Sequence, residues 1–171
     1  EWSNNTRIIM CDPEAEYVYL TKNLKGEVID IGNASEGRIN PFHIYQVLSE
    51  DGGKTNSFVT FNTHLKVLES FFKIVLEGAP NDVIELINNL VVELYEIKGI
   101  NCNTNFKKLK PKDYPIFTDL LRLVKDKQSQ EMNVLNEKLY NMVELYLQKF
   151  VTGRYSDIWN AASTLTTSAS I

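Results

Sequence analysis

The residues best able to do chemistry are three carboxylates, Asp12, Glu14 and Glu16, at the end of the run Arg7-Ile8-Ile9-Met10-Cys11-Asp12-Pro13-Glu14-Ala15-Glu16-Tyr17. A short apolar stretch that ends in acids reads as a buried strand, Ile8 to Cys11. It would deliver them to its C-terminal edge, where open α/β sheets bind ligands. There they could hold a divalent ion or take up a proton as a general base. The same residues suit a simpler task. Asp12 can cap a helix that begins at Pro13, with Glu14 and Glu16 complementing the dipole of its first turn. On residue types alone, capping is the more economical reading.

Other chemistry finds little support. Gly53-Lys54-Thr55 ends like a phosphate-binding loop, but that motif needs a glycine where Leu48 stands, and Glu50 and Asp51 would repel a triphosphate. It reads as a loop. His43 and His64 have no metal-ligand spacing, so no metal site is expected. Cys11 and Cys102 form no Cys-x-x-Cys pair; Cys11 reads as a small hydrophobe within the strand, and Cys102 has no neighbouring histidine to activate it. No catalytic residue is therefore expected in this chain, and unpaired cysteines fit a reducing, cytoplasmic setting. Lys107-Lys108-Leu109-Lys110-Pro111-Lys112 reads as a solvated loop. Two readings of Gly153 to Trp159 stand level: Gly153 as a helix C-cap with Tyr155 and Trp159 folded back, or Arg154, Tyr155 and Trp159 as a subunit-interface anchor.

The 171 residues carry a net charge of −4 with 43% apolar and 23% charged side chains, which fits a folded chain and argues against bulk electrostatic binding of nucleic acid. No apolar run reaches the ~20 residues that span a bilayer. The first residues lack a signal peptide's basic and apolar regions, so any membrane association is expected through partners.

Two periodicities divide the chain. Residues 1–48 read as a partial α/β segment: strand Ile8 to Cys11, a helix with Tyr17, Leu20 and Leu24 inward that ends at Gly26, then a second strand through Val28, Ile29 and Ile31. Two strands and one helix leave sheet edges open, so this segment is expected to need neighbours from a larger sheet. Ser49 to Lys54 is a polar hinge. Residues 56–160 read as four amphipathic helices that bundle. The first carries Phe58, Phe61, Leu65, Leu68, Phe72 and Leu76, and the second Val83, Leu86, Ile87, Leu90, Leu94 and Ile97. The third is capped by Asp113, with Ile116, Leu120, Leu121 and Val124. The fourth, from about Gln130, carries Met132, Leu135, Leu139, Met142, Tyr146, Leu147 and Phe150. Residues 161–171 are a frayed tail or a truncated strand. The fold class expected is α+β to mainly α, a partial RecA-like βαβ segment followed by a four-helix bundle insertion.

The run RIIMCDPEAEYVYLTKNLKGEVIDIGNASEGRINPFHIY, Arg7 to Tyr45, resembles the conjugative-transfer ATPases of type IV secretion systems, in particular their Gram-positive plasmid and transposon branch. Asp-Pro-Glu-x-Glu-Tyr and Ile39-Asn40-Pro41 carry the resemblance, and the segment Gly153 to Trp159 is similar to the one that closes the family's helical insertion. The resemblance implies that the phosphate-binding loop lies before Thr6 and the acidic Mg²⁺ motif after Ile171, so that ATP and Mg²⁺ belong to the intact parent and not to this chain alone. It places Asp12, Glu14 and Glu16 near the parent's nucleotide site. It further implies a ring of like subunits beside other secretion proteins at the inner face of the cell membrane, meeting DNA only indirectly and without inserting into the bilayer. The alternative is a free-standing helical interaction module with no link to nucleotide.

Overall fold

The computed structural model describes residues 8, 10–31, 37–45 and 56–164. Gly53-Lys54-Thr55, the hinge before it and residues 165–171 lie outside the described residues. Six α-helices occur among them: α1 Val18–Asn23, α2 Ser57–Val75, α3 Asn81–Ile97, α4 Phe117–Gln130, α5 Val134–Val151 and α6 Ser156–Trp159, with short 3₁₀ turns at Phe106–Lys108 and Pro111–Asp113.

Helices α2 to α5 are the four expected from periodicity, and their limits follow local signals. Asn56 starts α2 by accepting the Val59 N–H on its side chain at 2.8 Å. The third helix starts later than expected. Asp113 instead closes the 3₁₀ turn by accepting the Lys110 N–H at 2.7 Å, and Asp119 caps α4 by accepting the Ile116 N–H at 3.1 Å. Pro115 supplies the reason, because it disfavours helical backbone at the residue before it. The fourth helix, expected from about Gln130, begins at Val134, Gln130 ends α4, and residues 131–133 turn the two into a hairpin.

Side-chain pairs fix the directions. Lys98 reaches Asp119 and Lys127 reaches Glu93, so α3 and α4 run antiparallel; Lys125 to Glu144 and Gln128 to Asn141 do the same for α4 and α5. These pairs are largely exposed and set register more than stability. Stability comes from the core, where Phe42, Phe72, Phe117 and Phe150 are fully buried and Phe150 stacks on Phe117 at 4.5 Å between ring centres. Because α3 touches α2, α4 and α5, it buries a wider arc than one stripe, adding Ile84, Val91 and Tyr95. Some expected core residues are exposed instead: Phe58 and Ile97, and in the fourth helix Met132, Leu135 and Met142. They sit toward helix ends or on a flank that no neighbour covers.

The N-terminal segment departs from expectation in its pairing. No strand occurs among the described residues, and Ile8, Met10, Cys11, Val28, Ile29 and Ile31 are exposed. A strand exists only through a ladder partner, and an apolar segment without sheet neighbours has nothing to bury it. Its helix is also shorter than expected. Ala15 adopts a left-handed φ of 58°, which breaks helical backbone, so α1 begins at Val18 and not at Pro13. At its end Gly26 N–H bonds Thr21 O and Lys25 N–H bonds Lys22 O, a Schellman arrangement whose left-handed residue is Lys25 at φ 58° and not Gly26.

Candidate functional site

The three carboxylates sit on the turn before α1. Asp12 accepts the Glu16 N–H on Oδ1 at 3.1 Å and the Tyr17 N–H on Oδ2 at 2.9 Å, so both its oxygens hold the turn together. It thus bonds backbone donors ahead of the helix although it does not occupy the N-cap, which is Tyr17. Glu14 and Glu16 are exposed and precede the helix instead of filling its first turn. Among the described residues no three His, Cys, Asp or Glu side chains converge to hold a metal ion. Three carboxylates on one turn repel phosphate, while an Asp12 oxygen that accepts one N–H keeps a lone pair for a cation.

The Ile39-Asn40-Pro41-Phe42 segment lies at the centre of a denser site. Asn40 is buried and bonds through both side chain and backbone: Nδ2 donates to Pro115 O at 2.8 Å, Oδ1 accepts the Phe42 N–H at 3.0 Å, and its backbone N–H donates to Ser163 Oγ at 2.9 Å. Next to it Ile39 N–H bonds Ile158 O at 2.9 Å and Thr164 N–H bonds Arg38 O at 3.1 Å. The stretch entering the helices is thereby clasped to the stretch leaving them. Phe42 then plugs the core, and two tyrosines bind the backbone around it: Tyr95 Oη donates to Phe42 O at 2.7 Å and Tyr114 Oη to Ile44 O at 3.3 Å.

Both histidines belong to this clasp. His64 Nε2 lies 2.8 Å from Tyr95 Oη. The hydroxyl proton is committed to Phe42 O, so Nε2 must carry the hydrogen that bonds the hydroxyl oxygen. His43 stacks between Tyr45 and Tyr114, at 4.3 and 4.6 Å between ring centres. Its buried Nδ1 has no hydrogen-bond partner among the described residues. Burial lowers both imidazoles to about 4, His64 with a further push from His43, while burial raises Tyr114 to about 12 and Tyr95 well above the usual phenol range. Near pH 7 all four are neutral, and they hold the clasp through hydrogen bonds and ring contacts, not through ion pairs. Beside it a cavity of about 190 Å³ is lined by Tyr45, Thr60, Thr63, His64 and Val67.

In the closing segment, Tyr155 and Trp159 pack against the core, stacked on one another at 5.1 Å and against Phe150. Arg154 is exposed, its guanidinium 4.9 Å from the centre of the Tyr155 ring. A Cβ on Gly153 would fall 2.6 Å from Lys149 O, so the turn admits only glycine without a shift. Tyr95 and Tyr114 carry only a weak sequence signal, a tyrosine among apolar neighbours, which needs a partner for its hydroxyl when buried.

The clasp fixes a recognisable architecture: a helical unit whose two ends meet at Asn40 and Ser163. Over 96% of this chain it superimposes, with a TM-score of 0.78 and 21% identity, on the structure of VirB4 of Thermoanaerobacter pseudethanolicus. The fold is that of a VirB4 segment. The chain spans 40% of that VirB4 chain. No protein-family model and no curated protein matches the sequence.

Proposed function

We propose that this chain is part of a type IV secretion ATPase, one that energises conjugative DNA transfer. The observation that carries this is the VirB4-like fold over almost the whole chain, joined to the Asp12-Pro13-Glu14-Ala15-Glu16-Tyr17 and Ile39-Asn40-Pro41-Phe42 motifs. The intact protein would bind ATP and Mg²⁺ through a phosphate-binding loop and an acidic motif outside this chain, with Asp12, Glu14 and Glu16 near the nucleotide. Residues 8–31 would join the motor's RecA-like sheet, and their exposed Ile8, Met10, Leu20, Leu24, Val28, Ile29 and Ile31 are the side chains such a sheet would cover. The helical unit would face neighbouring subunits of a ring or other secretion proteins, with Arg154, Tyr155 and Trp159 at such a boundary. Among the described residues no helix is long and apolar enough to cross a membrane. That accords with a cytoplasmic protein held at the membrane's inner face by partners, reaching DNA indirectly.

The test is the parent gene. A Gly-x-x-x-x-Gly-Lys-Ser/Thr within roughly 30 residues upstream of Arg7, as a βαβ unit requires, together with ATP hydrolysis lost on changing that lysine, is the expected result. Absence of the motif ends this reading.

A free-standing helical interaction module is the second reading, favoured by one observation: among the described residues the buried apolar core lies between Phe42 and Phe150, within the helical unit itself. Hydrogen exchange separates the two. An independent module protects the amides of residues 10–31 in this chain alone, whereas an orphaned piece of sheet leaves them labile.

A further inference from the structure

Residues 97–112 hold five lysines and no acid in a chain whose net charge is −4, which leaves −9 for the rest. Lys98 is paired with Asp119. The other four, Lys107, Lys108, Lys110 and Lys112, are exposed and make no ion pair among the described residues. Charge runs are commonly solvated and nothing more, but the backbone of this one is held in place. Phe106 and Tyr114 are buried at its two ends, and Leu109 packs against the core between them. Asn105 Oδ1 accepts the Lys107 N–H at 3.2 Å and Asp113 Oδ2 the Lys110 N–H at 2.7 Å. Two successive 3₁₀ turns thus keep four like charges close together on a fixed frame, where a polyanion would relieve their repulsion and little backbone order would be lost on binding.

The form of that polyanion follows from the rest of the surface. An anionic bilayer presents its charge as a plane and a nucleic acid as a long track, so either would meet the remaining −9 together with the lysines. Exposed Asp82, Glu85 and Glu96 stand on α3, the helix that leads into this segment. The patch also lacks arginine, whose planar guanidinium is the residue of choice for phosphate. A short run of carboxylates covers the turn alone and avoids those acids.

We propose that the 107–112 turn docks a carboxylate-rich segment of a partner protein, with Asp and Glu side chains reaching the ammonium groups of Lys107, Lys108, Lys110 and Lys112. This surface is distinct from the one around Arg154, Tyr155 and Trp159. Phe61, which stacks on Phe106, and Phe71, which meets Trp159, are separated along α2 by roughly 15 Å at the rise of an α-helix. The contact needs no nucleotide and stands or falls apart from the ATPase reading.

Fluorescence anisotropy of a labelled peptide of about twelve alternating Glu and Asp residues, titrated with the 171-residue chain near physiological salt, tests it. Saturable binding is expected. Lys107→Gln with Lys108→Gln should weaken it about tenfold, as loss of two ion pairs at the upper end of the exposed range would, and Lys110→Gln with Lys112→Gln should do the same. Lys22→Gln with Lys66→Gln removes as much charge from exposed positions elsewhere and should change affinity less than about twofold. All of these side chains are exposed, so thermal melts should match the unaltered chain. No binding up to about 1 mM, an equal loss in the Lys22 and Lys66 variant, or tighter capture of phosphatidylglycerol vesicles or a single-stranded oligonucleotide by the same four lysines overturns the proposal.

Discussion

The Tyr95 hydroxyl lies 2.7 Å from the carbonyl of Phe42 and 2.8 Å from His64 Nε2, so one buried phenol ties the segment entering the helical unit to both α3 and α2. Removing that oxygen strands a buried carbonyl. Tyr95→Phe keeps the ring contact with Phe61 and should cost about 1–3 kcal/mol, the penalty for an unsatisfied buried polar group. Urea denaturation measures it; a loss under about 0.5 kcal/mol would mean that water replaces the hydroxyl.

His64 makes the same fastening sensitive to acid. Its pKa is about 4 in the folded chain against an ordinary 6.5, so above pH 6.5 both folded and unfolded states are neutral and stability is at its full value. As pH falls from 6.5 toward 4 only the unfolded chain takes up the proton, and stability drops. The shift corresponds to about 3 kcal/mol for this group. His43 shifts in the same direction and its buried Nδ1 offers a protonated ring no acceptor, so the two losses are coupled. Melting curves between pH 7 and 4 should show the decline, and His64→Gln should flatten it; an equally steep decline in that variant would place the titration elsewhere.

Asn40 is the joint between the two ends of the unit, and its amide both donates and accepts. Asn40→Asp could still accept from the Phe42 N–H but would turn a carboxylate toward Pro115 O in a buried setting. The expected cost at pH 7 is about 3 kcal/mol or more, typical of an uncompensated buried charge. Lowering the pH protonates the new group and restores a donor, so the deficit relative to the unaltered chain should shrink below pH 6. A deficit independent of pH would show that the side chain rotates out to solvent.

Much of the helical unit could be read from spacing. Periods of three and four placed α2 and α3 closely, because apolar residues recur at those spacings along each and each ends near a glycine, Gly78 or Gly99. Spacing failed where a helix touches several neighbours, as Tyr95 on α3 does, or where an apolar run is displayed to solvent, as from Met132 to Leu135. The clasp was legible only as a motif. Asn40 and Ser163 are 123 positions apart, and no local pattern reports such a pairing. In the N-terminal segment, the run Ile8 to Cys11 carries strand propensity that only an adjoining sheet could satisfy.

Lys25 is the residue where local and global demands conflict most plainly. It occupies the left-handed position that ends α1, at φ 58°, with glycine one residue too late. The corresponding position after α3 is Gly99, at φ 72°, and there Ile100 follows into the core. A side chain in that conformation costs about 1–2 kcal/mol, and α1, only six residues long with no buried side chain, has little packing to offset it. Lys25→Gly should therefore stabilise the end of α1 by about 0.5–1 kcal/mol after allowing for glycine's greater freedom when unfolded. Amide exchange at Leu24 and Gly26, which bond Leu20 O and Thr21 O, should slow about threefold. Faster exchange at those amides would mean that the lysine side chain, and not the backbone angle, holds the turn.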